Sequence, residues 1–246
     1  MRLDSARFPR KPFAEILNIP MIQHVWERAC LSKLKDEVVV ITPDQEIYSF
    51  MKKKGANTLL SKFDHSNGTS RVAEFADYLN WDNFVILQGD EPLIRPEHLD
   101  SLINFIKLNS TNFTNVVSDL KVEDLENENV VKCLINHKNE MTFMFRRNPL
   151  KQGIGIIPSS FAKVNGLYAL SRDTLNIYTK FTPKQLEISE SIEQFRFLEN
   201  DISIMSLRMD REDCSVNNIE EFAKVIEIFA TDLEQIGITN EYVNKR

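Results

Sequence analysis

Phe84-Val85-Ile86-Leu87-Gln88-Gly89-Asp90-Glu91-Pro92 is the stretch on which the reading of this chain turns. An unbroken run of large apolar residues suits a strand covered on both faces, as in an α/β sheet. The run stops at Gln-Gly-Asp, and a strand ending there delivers a carboxylate to the carboxyl edge of the sheet, where open α/β sheets bind ligands. Asp90 in that place suits a hard cation, because magnesium takes oxygen donors and commonly keeps one or two carboxylates beside substrate phosphates. A turn-forming aspartate after a strand is the competing reading.

On either side, apolar runs alternate with segments of helical period, the signature of a mainly parallel sheet. The pattern predicts helices over 21–30, 45–54, 71–79 and from Pro96 to about Lys107, with strands at 38–41, 58–60 and 84–87. Further on, strands are predicted at 113–118, 130–135, 140–146, 166–170 and 202–209, so the later sheet is mixed. Helical segments are predicted from Arg172, over 183–198, and finally over 219–233. The Gly-containing connection 149–158 suits a lid or a subunit contact. No repeat or low-complexity linker appears, and one domain spanning 1–246 with an inserted subdomain at about 130–198 fits better than two independent domains.

The chain carries 42% hydrophobic and 27% charged residues, which is ordinary for a globular enzyme. Its net charge of -6 argues against a nucleic-acid partner, which wants a basic face. No apolar run is long enough for a membrane helix and no signal peptide heads the chain, so no membrane partner and a cytoplasmic location are expected. Cys30, Cys133 and Cys214 are odd in number and widely spaced, which reads as reduced, buried thiols. Neither a dinucleotide glycine fingerprint nor a P-loop is present.

Two more segments carry chemistry. Arg2-Leu3-Asp4-Ser5-Ala6-Arg7-Phe8-Pro9-Arg10-Lys11-Pro12 packs cations among prolines and small residues, which makes an extended basic loop that can wrap a triphosphate. A solvated basic terminus is the bland alternative. His65-Ser66-Asn67-Gly68-Thr69-Ser70-Arg71 precedes a helix and can offer backbone groups to a base or phosphate, or serve as an N-cap.

Taken together these segments resemble the 3-deoxy-manno-octulosonate (KDO) cytidylyltransferases over nearly the whole chain. Arg2, Ser5, Arg7, Pro9, Lys11 and Pro12 fall in step with the family's opening motif, followed by Pro20-Met21-Ile22-Gln23-His24-Val25. His65, Gly68, Thr69 and Arg71 match its H-x-S-G-T-x-R loop, and Gln88 to Pro92 match its Q-G-D-E-P in full. Val131-Lys132, Phe145-Arg146-Arg147, Gly166-Leu167-Tyr168 and the series Leu186-Glu187, Glu190, Glu193-Gln194, Arg196 match later motifs. The resemblance implies a Rossmann-like α/β nucleotidyltransferase fold with a mixed, mainly parallel sheet and a small inserted dimerisation subdomain. It implies transfer of CMP from CTP to an acidic sugar, with magnesium as cofactor and a homodimer as the working form. By the same resemblance Arg2, Arg7 and Lys11 would hold the triphosphate, and Ser66, Asn67, Gly68, Thr69, Arg71 and Gln88 would lie at the nucleotide. Asp90 and Asn217 would hold the metal, and Arg147, Tyr168, Glu193 and Gln194 would line the acid-sugar pocket.

This chain departs from the pattern in four places. The family's first strand and Pro-Ala are absent ahead of Arg2, so an upstream start is the expectation, with a truncated, non-catalytic paralogue as its rival. Asn217 stands where the family has a metal-binding aspartate. Asn18-Ile19-Pro20 replaces Gly-Lys-Pro, and Arg10 replaces the glycine before Lys11. Val164-Asn165 replaces the His-Leu associated with the sugar, so the acceptor is expected to be KDO, a relative of it, or another acid such as a phosphonate. Of the remaining residues, His24 and Trp26 read as packing, His98 and His137 as exposed, Glu187 and Glu190 as either a solvated helix face or a site, and Val122 to Glu126 as a loop.

Overall fold

The structure is a computed structural model, and it describes residues 2–3, 7–147, 157–210 and 215–244. In chain order the elements are β1 (Glu15–Ile16), β2 (Ile19–Pro20), α1 (Met21–Leu31), β3 (Val39–Thr42), α2 (Gln45–Lys53), β4 (Asn57–Leu60), α3 (Gly68–Ala73) and α4 (Ala76–Leu79). They continue with β5 (Asn83–Leu87), α5 (Pro96–Asn109), β6 (Phe113–Ser118), β7 (Lys132–Ile135), β8 (Met141–Phe145), β9 (Phe161–Ser171) and α6 (Arg172–Tyr178). The last are α7 (Gln185–Glu190), α8 (Phe195–Leu198), β10 (Met205–Arg208), α9 (Ile219–Thr231) and α10 (Leu233–Val243). They divide between two compact units, one of residues 1–72, 87–104 and 212–246, the other of 73–86 and 105–211.

The first unit is built on helix α1. Its buried face is Met21, Ile22, Gln23, His24, Val25 and Arg28, with Trp26 and Ala29 only half-buried. Ile22 packs with Ile47, Met51 and Ala56 of the α2 region, and Met21 packs with Ile16, Leu93, Val216, Val225 and Phe229. His24 is fully buried, and its ring nitrogens meet Tyr242 Oη at 2.5 Å and the Ile16 carbonyl at 2.8 Å. Packing is therefore its role, as the sequence suggested. Arg28 is also fully buried; it donates to Gln235 Oε1, the Ile94 carbonyl and Thr239 Oγ1, and lies over the Phe229 ring.

Local chemistry sets the turns. Leu17 and Asn18 both have positive φ (51° and 61°) in the two-residue loop between β1 and β2, the primed turn that matches strand twist. Gly55 (φ 89°) ends α2 as a left-handed cap, with its N–H on the Lys52 carbonyl and that of Ala56 on Met51. The chain then enters β4, which runs parallel to β3.

Asp100 of α5 fastens the end of α1: it accepts from Ser32 Oγ at 2.6 Å and from the N–H groups of Leu34 at 3.0 Å and Lys33 at 3.2 Å. Burial by itself would raise its pKa, but these donors outweigh that and hold the carboxyl below its usual value. A depressed folded-state pKa means that the carboxylate stabilises the fold above its unfolded value near ~3.9 and loses that contribution as pH falls through the folded value. Asp100→Ala is therefore expected to lower stability by about 1–2 kcal/mol at pH 7. The gap to the unsubstituted protein should close below roughly pH 4 in urea unfolding series at stepped pH; a gap independent of pH would refute the assignment.

The second unit holds a six-stranded mixed sheet in the order β10-β6-β9-β7-β8, with β5 also against β9. Strands β10 and β6 are parallel, while β6 with β9, β9 with β7 and β7 with β8 are antiparallel. Aromatic rings pack in series from its strands to its helices: Tyr168 on Phe113, Phe113 on Phe197 and Phe197 on Tyr178.

Several expectations need correction. The helix expected over 71–79 is two short ones, α3 and α4. The segment 183–198 is likewise split, because Ser191 adopts a left-handed conformation (φ 54°) between α7 and α8. A last helix, α10, follows α9, since Asp232 ends one and caps the next by accepting from the N–H groups of Glu234 and Gln235. Residues 122–124 of the expected loop form a 3-10 turn. His98 is half-buried, whereas His137 is exposed as expected. Glu187 is not on a solvated face: it is 8% exposed and paired with Arg196. Cys133 is buried and Cys30 half-buried; burial pushes the thiols up to about 12 and about 11, so both are protonated at neutral pH. Cys214 and most of the connection 149–158 lie outside the described residues. Among the described residues no helix is long and apolar enough to cross a membrane.

Candidate active site

In the first unit the loop after β5 meets the loop before α9. Asp90 and Val216 are joined by their backbones, with the Val216 N–H donating to the Asp90 carbonyl at 2.9 Å. Lys11 reaches the same place from the N-terminal 3-10 turn at 11–13. Its Nζ donates to Asp90 Oδ2 at 2.9 Å and to the Val216 carbonyl at 2.6 Å, and the residue is only 9% exposed. Arg10, just before it, has φ 56°, the left-handed region that favours glycine, and its guanidinium pairs with exposed Glu46. That backbone explains why a glycine is at home in this position in the resembled pattern.

The residues next to Asp90 and Val216 in the chain make hydrogen bonds of their own. Glu91 is 2% exposed and accepts from Ser215 Oγ at 2.6 Å. Asn217 donates its side-chain N–H to the Ser215 carbonyl at 3.4 Å, which turns its Oδ1 the other way, and its backbone N–H donates to Glu221. The Lys11 ammonium stands where Asp90 and Val216 offer two oxygens to one positive charge. Magnesium arriving with a polyphosphate needs only such a carboxylate plus phosphate oxygens, so the donor set fits it. Among the described residues there is no group of three or more His, Cys, Asp or Glu side chains that would hold a metal unaided.

The loop at 65–71 forms an N-cap: Asn67 Oδ1 accepts from the Ser70 N–H at 2.9 Å at the start of α3. Thr69 and Arg71 are buried, Arg71 Nη2 donates to the His65 carbonyl, and Ser66 and Gln88 are exposed. Arg2 and Arg7 are exposed on the N-terminal loop.

The second unit gathers the other set. Tyr168 Oη donates to Glu193 at 2.9 Å and Gln194 Nε2 donates to Asn115 Oδ1 at 3.3 Å. Glu193 and Gln194 lie between α7 and α8, which are tied together by the buried Glu187–Arg196 pair, with Arg196 also over the Tyr178 ring. Glu187 raises the pKa of Arg196. Arg147 is not turned into this group: it is exposed and paired with exposed Glu128. Lys132, fully buried, donates to the carbonyls of Asn127, Val130 and Arg146, and burial lowers its pKa. The sequence reading missed the Val216 carbonyl, the Glu91–Ser215 contact and Asn115. The only signal for Asn115 was an amide inside the apolar run Phe113 to Val117.

Residues 1–204 match the family model described as cytidylyltransferase. The chain belongs to the cytidylyltransferase family. The 3-deoxy-manno-octulosonate cytidylyltransferase of Pelodictyon phaeoclathratiforme is 34% identical over 237 residues, covering 94% of this chain and 96% of that protein. The enzyme of the same name from Solibacter usitatus is 33% identical over 238 residues, covering 95% and 94%. Among solved structures, CMP:2-keto-3-deoxy-manno-octonic acid synthetase complexed with CTP superposes with a TM-score of 0.86 at 28% identity, covering 95% of this chain and 97% of that one. A cytidylyltransferase from Leptospira borgpetersenii shares the fold at TM-score 0.62 and 14% identity. The Rossmann-like nucleotidyltransferase fold and the mixed sheet expected from the sequence are thus borne out.

Proposed function

We propose that this cytidylyltransferase transfers CMP from CTP to 3-deoxy-manno-octulosonate or a close acidic relative and releases pyrophosphate. The observation that carries the reading is the Lys11–Asp90–Val216 cluster, in a chain that matches enzymes of that name over nearly its full length. The anomeric hydroxyl of the sugar acid attacks the α-phosphorus in line; its O–P bond forms as the bond to the bridging oxygen of pyrophosphate breaks, pyrophosphate leaves with that electron pair, and the hydroxyl proton passes to solvent. Catalysis is then mainly positioning and charge neutralisation.

In this reading Lys11, Arg2 and Arg7 neutralise the triphosphate, while Ser66 to Thr69, Arg71 and Gln88 attend the nucleotide. Asp90, with the Asn217 side-chain oxygen or the Val216 carbonyl, would hold magnesium, which would add to the neutralisation of phosphate charge. Tyr168, Glu193 and Gln194 receive the sugar, and Arg147 exchanges Glu128 for the substrate carboxylate, for which its planar fork is suited. A homodimer in the cytoplasm is the expected setting.

Pyrophosphate release measured with all four nucleotides against KDO, its 8-amino analogue, other nonulosonic acids and phosphonates tests this. Release is expected only with CTP, magnesium and an acidic sugar; no turnover of any pair would sink the reading. Asn217, uncharged where the resembled family has an aspartate, motivates the rival of a nucleotide-binding paralogue. CTP binding without product, unrestored by Asn217→Asp, would favour that rival.

A further inference from the structure

Strand β6 is buried along its whole length, yet it contains Asn115, which is 0% exposed. A buried amide is tolerated when its hydrogen-bonding groups are matched, and the sheet supplies the reason here. Across the strand pair Asn115 faces Tyr168, but Val117 faces Val164, so Asn165, Gly166 and Leu167 stand opposite Val116 alone. Such a bulge takes carbonyl groups out of the regular ladder. Asn115 Nδ2 donates to two of them, the Val116 carbonyl at 2.9 Å and the Asn165 carbonyl at 3.2 Å.

Both amide hydrogens are thereby committed, and turning the amide over would set its oxygen against two carbonyl oxygens. Asn115 Oδ1 is left as an acceptor on the other side, and Gln194 Nε2 donates to it. The orientation of the second amide follows from that of the first. Gln194 is held with Nε2 inward, and its Oε1 is the atom left to receive a donor. Tyr168, the direct cross-strand neighbour of Asn115, holds Glu193 in the same way. One opposed pair in the sheet thus fixes two successive residues of the turn before α8.

We propose that Asn115 is a specificity-determining positioning residue. It locks Gln194 so that the acid-sugar pocket presents a carbonyl oxygen, which accepts a hydroxyl or ammonium hydrogen of the acceptor and discriminates against an analogue lacking that donor. This rests on the reading of Gln194 as part of the acid-sugar pocket.

The test compares the unsubstituted protein with Asn115→Leu and with Asn115→Thr, the latter keeping one hydroxyl donor for the bulge should the leucine variant not fold. KDO and its monodeoxy analogues are the acceptors, and exchange of the Gln194 side-chain amide protons is followed by 15N NMR. The unsubstituted protein is expected to disfavour one monodeoxy analogue by roughly 10- to 100-fold in kcat/KM. The variants should reduce that preference to within about threefold and raise KM for KDO about tenfold, with KM for CTP unchanged, and Gln194 amide exchange should accelerate. Retained discrimination in a folded variant, or Gln194 protons exchanging equally fast with and without Asn115, overturns the proposal. Should no acidic sugar be turned over at all, the functional reading falls, while the amide exchange still decides whether Asn115 holds Gln194.

Discussion

Asp90→Asn is expected to lower CMP transfer by a thousandfold or more, about 4 kcal/mol of transition-state stabilisation, without unfolding the protein. The fold survives because the contact joining the two loops is the Val216 N–H to the Asp90 backbone carbonyl, which the substitution leaves in place. The amide can still accept from Lys11, so the cluster keeps its shape and loses only its charge. Charge is what the proposed chemistry needs: the carboxylate offsets the Lys11 ammonium and, in the proposed reading, would supply the anionic ligand for magnesium. The loss should fall on kcat, with KM for the acidic sugar little changed, because the proposed reading assigns the sugar to Glu193 and Gln194 rather than to Asp90. Steady-state kinetics at saturating magnesium with a circular dichroism control checks this. Turnover within tenfold of the unsubstituted enzyme would mean that Asp90 is a turn former, the competing reading of this residue.

The second large effect is on stability. Arg196 and Glu187 are 6% and 8% exposed and bonded to each other through two nitrogen–oxygen contacts. Removing one partner of a buried pair strands the other charge, which typically costs about 3–5 kcal/mol. Arg196→Leu also removes the cation above Tyr178, whose ring stacks on Phe197. At about 2–4 °C per kcal/mol for a chain of this size, the midpoint of thermal unfolding should drop by roughly 6–20 °C. The double variant Glu187→Leu with Arg196→Leu should recover much of that, since two apolar side chains replace a satisfied pair at little net loss. Scanning calorimetry on both singles and the double decides it. Additive losses in the double would show that the pair does not act as a unit.

These two sites differ in how far the amino-acid order announced them. Gln88 to Pro92 stood out because an apolar run ending at Gly-Asp has few structural uses, and the strand lies within one residue of its expected limits. Glu187 and Arg196 were visible only as members of a charged pattern, equally consistent with a wet helix face. Their burial depends on Ser191 breaking the helix so that Arg196 folds back onto Glu187. Ser191 carries no intrinsic signal for a left-handed conformation, so the single long helix was the natural expectation.

By itself the sequence determined the alternation of strands and helices, the place of the carboxylate at a strand end and the family. Each of these rests on local period or on a contiguous motif, which short-range sterics and burial enforce wherever the segment finally lies. Only the tertiary structure decided which oxygens face Lys11, that Glu187 is buried, that Arg147 pairs with Glu128, and that Asn115 supports Gln194. Those pairings join residues far apart in the chain, 79 positions for both Lys11 with Asp90 and Asn115 with Gln194. They are set by strand register, a bulge and loop packing, in which a shift of one residue would turn a different side chain to the same place.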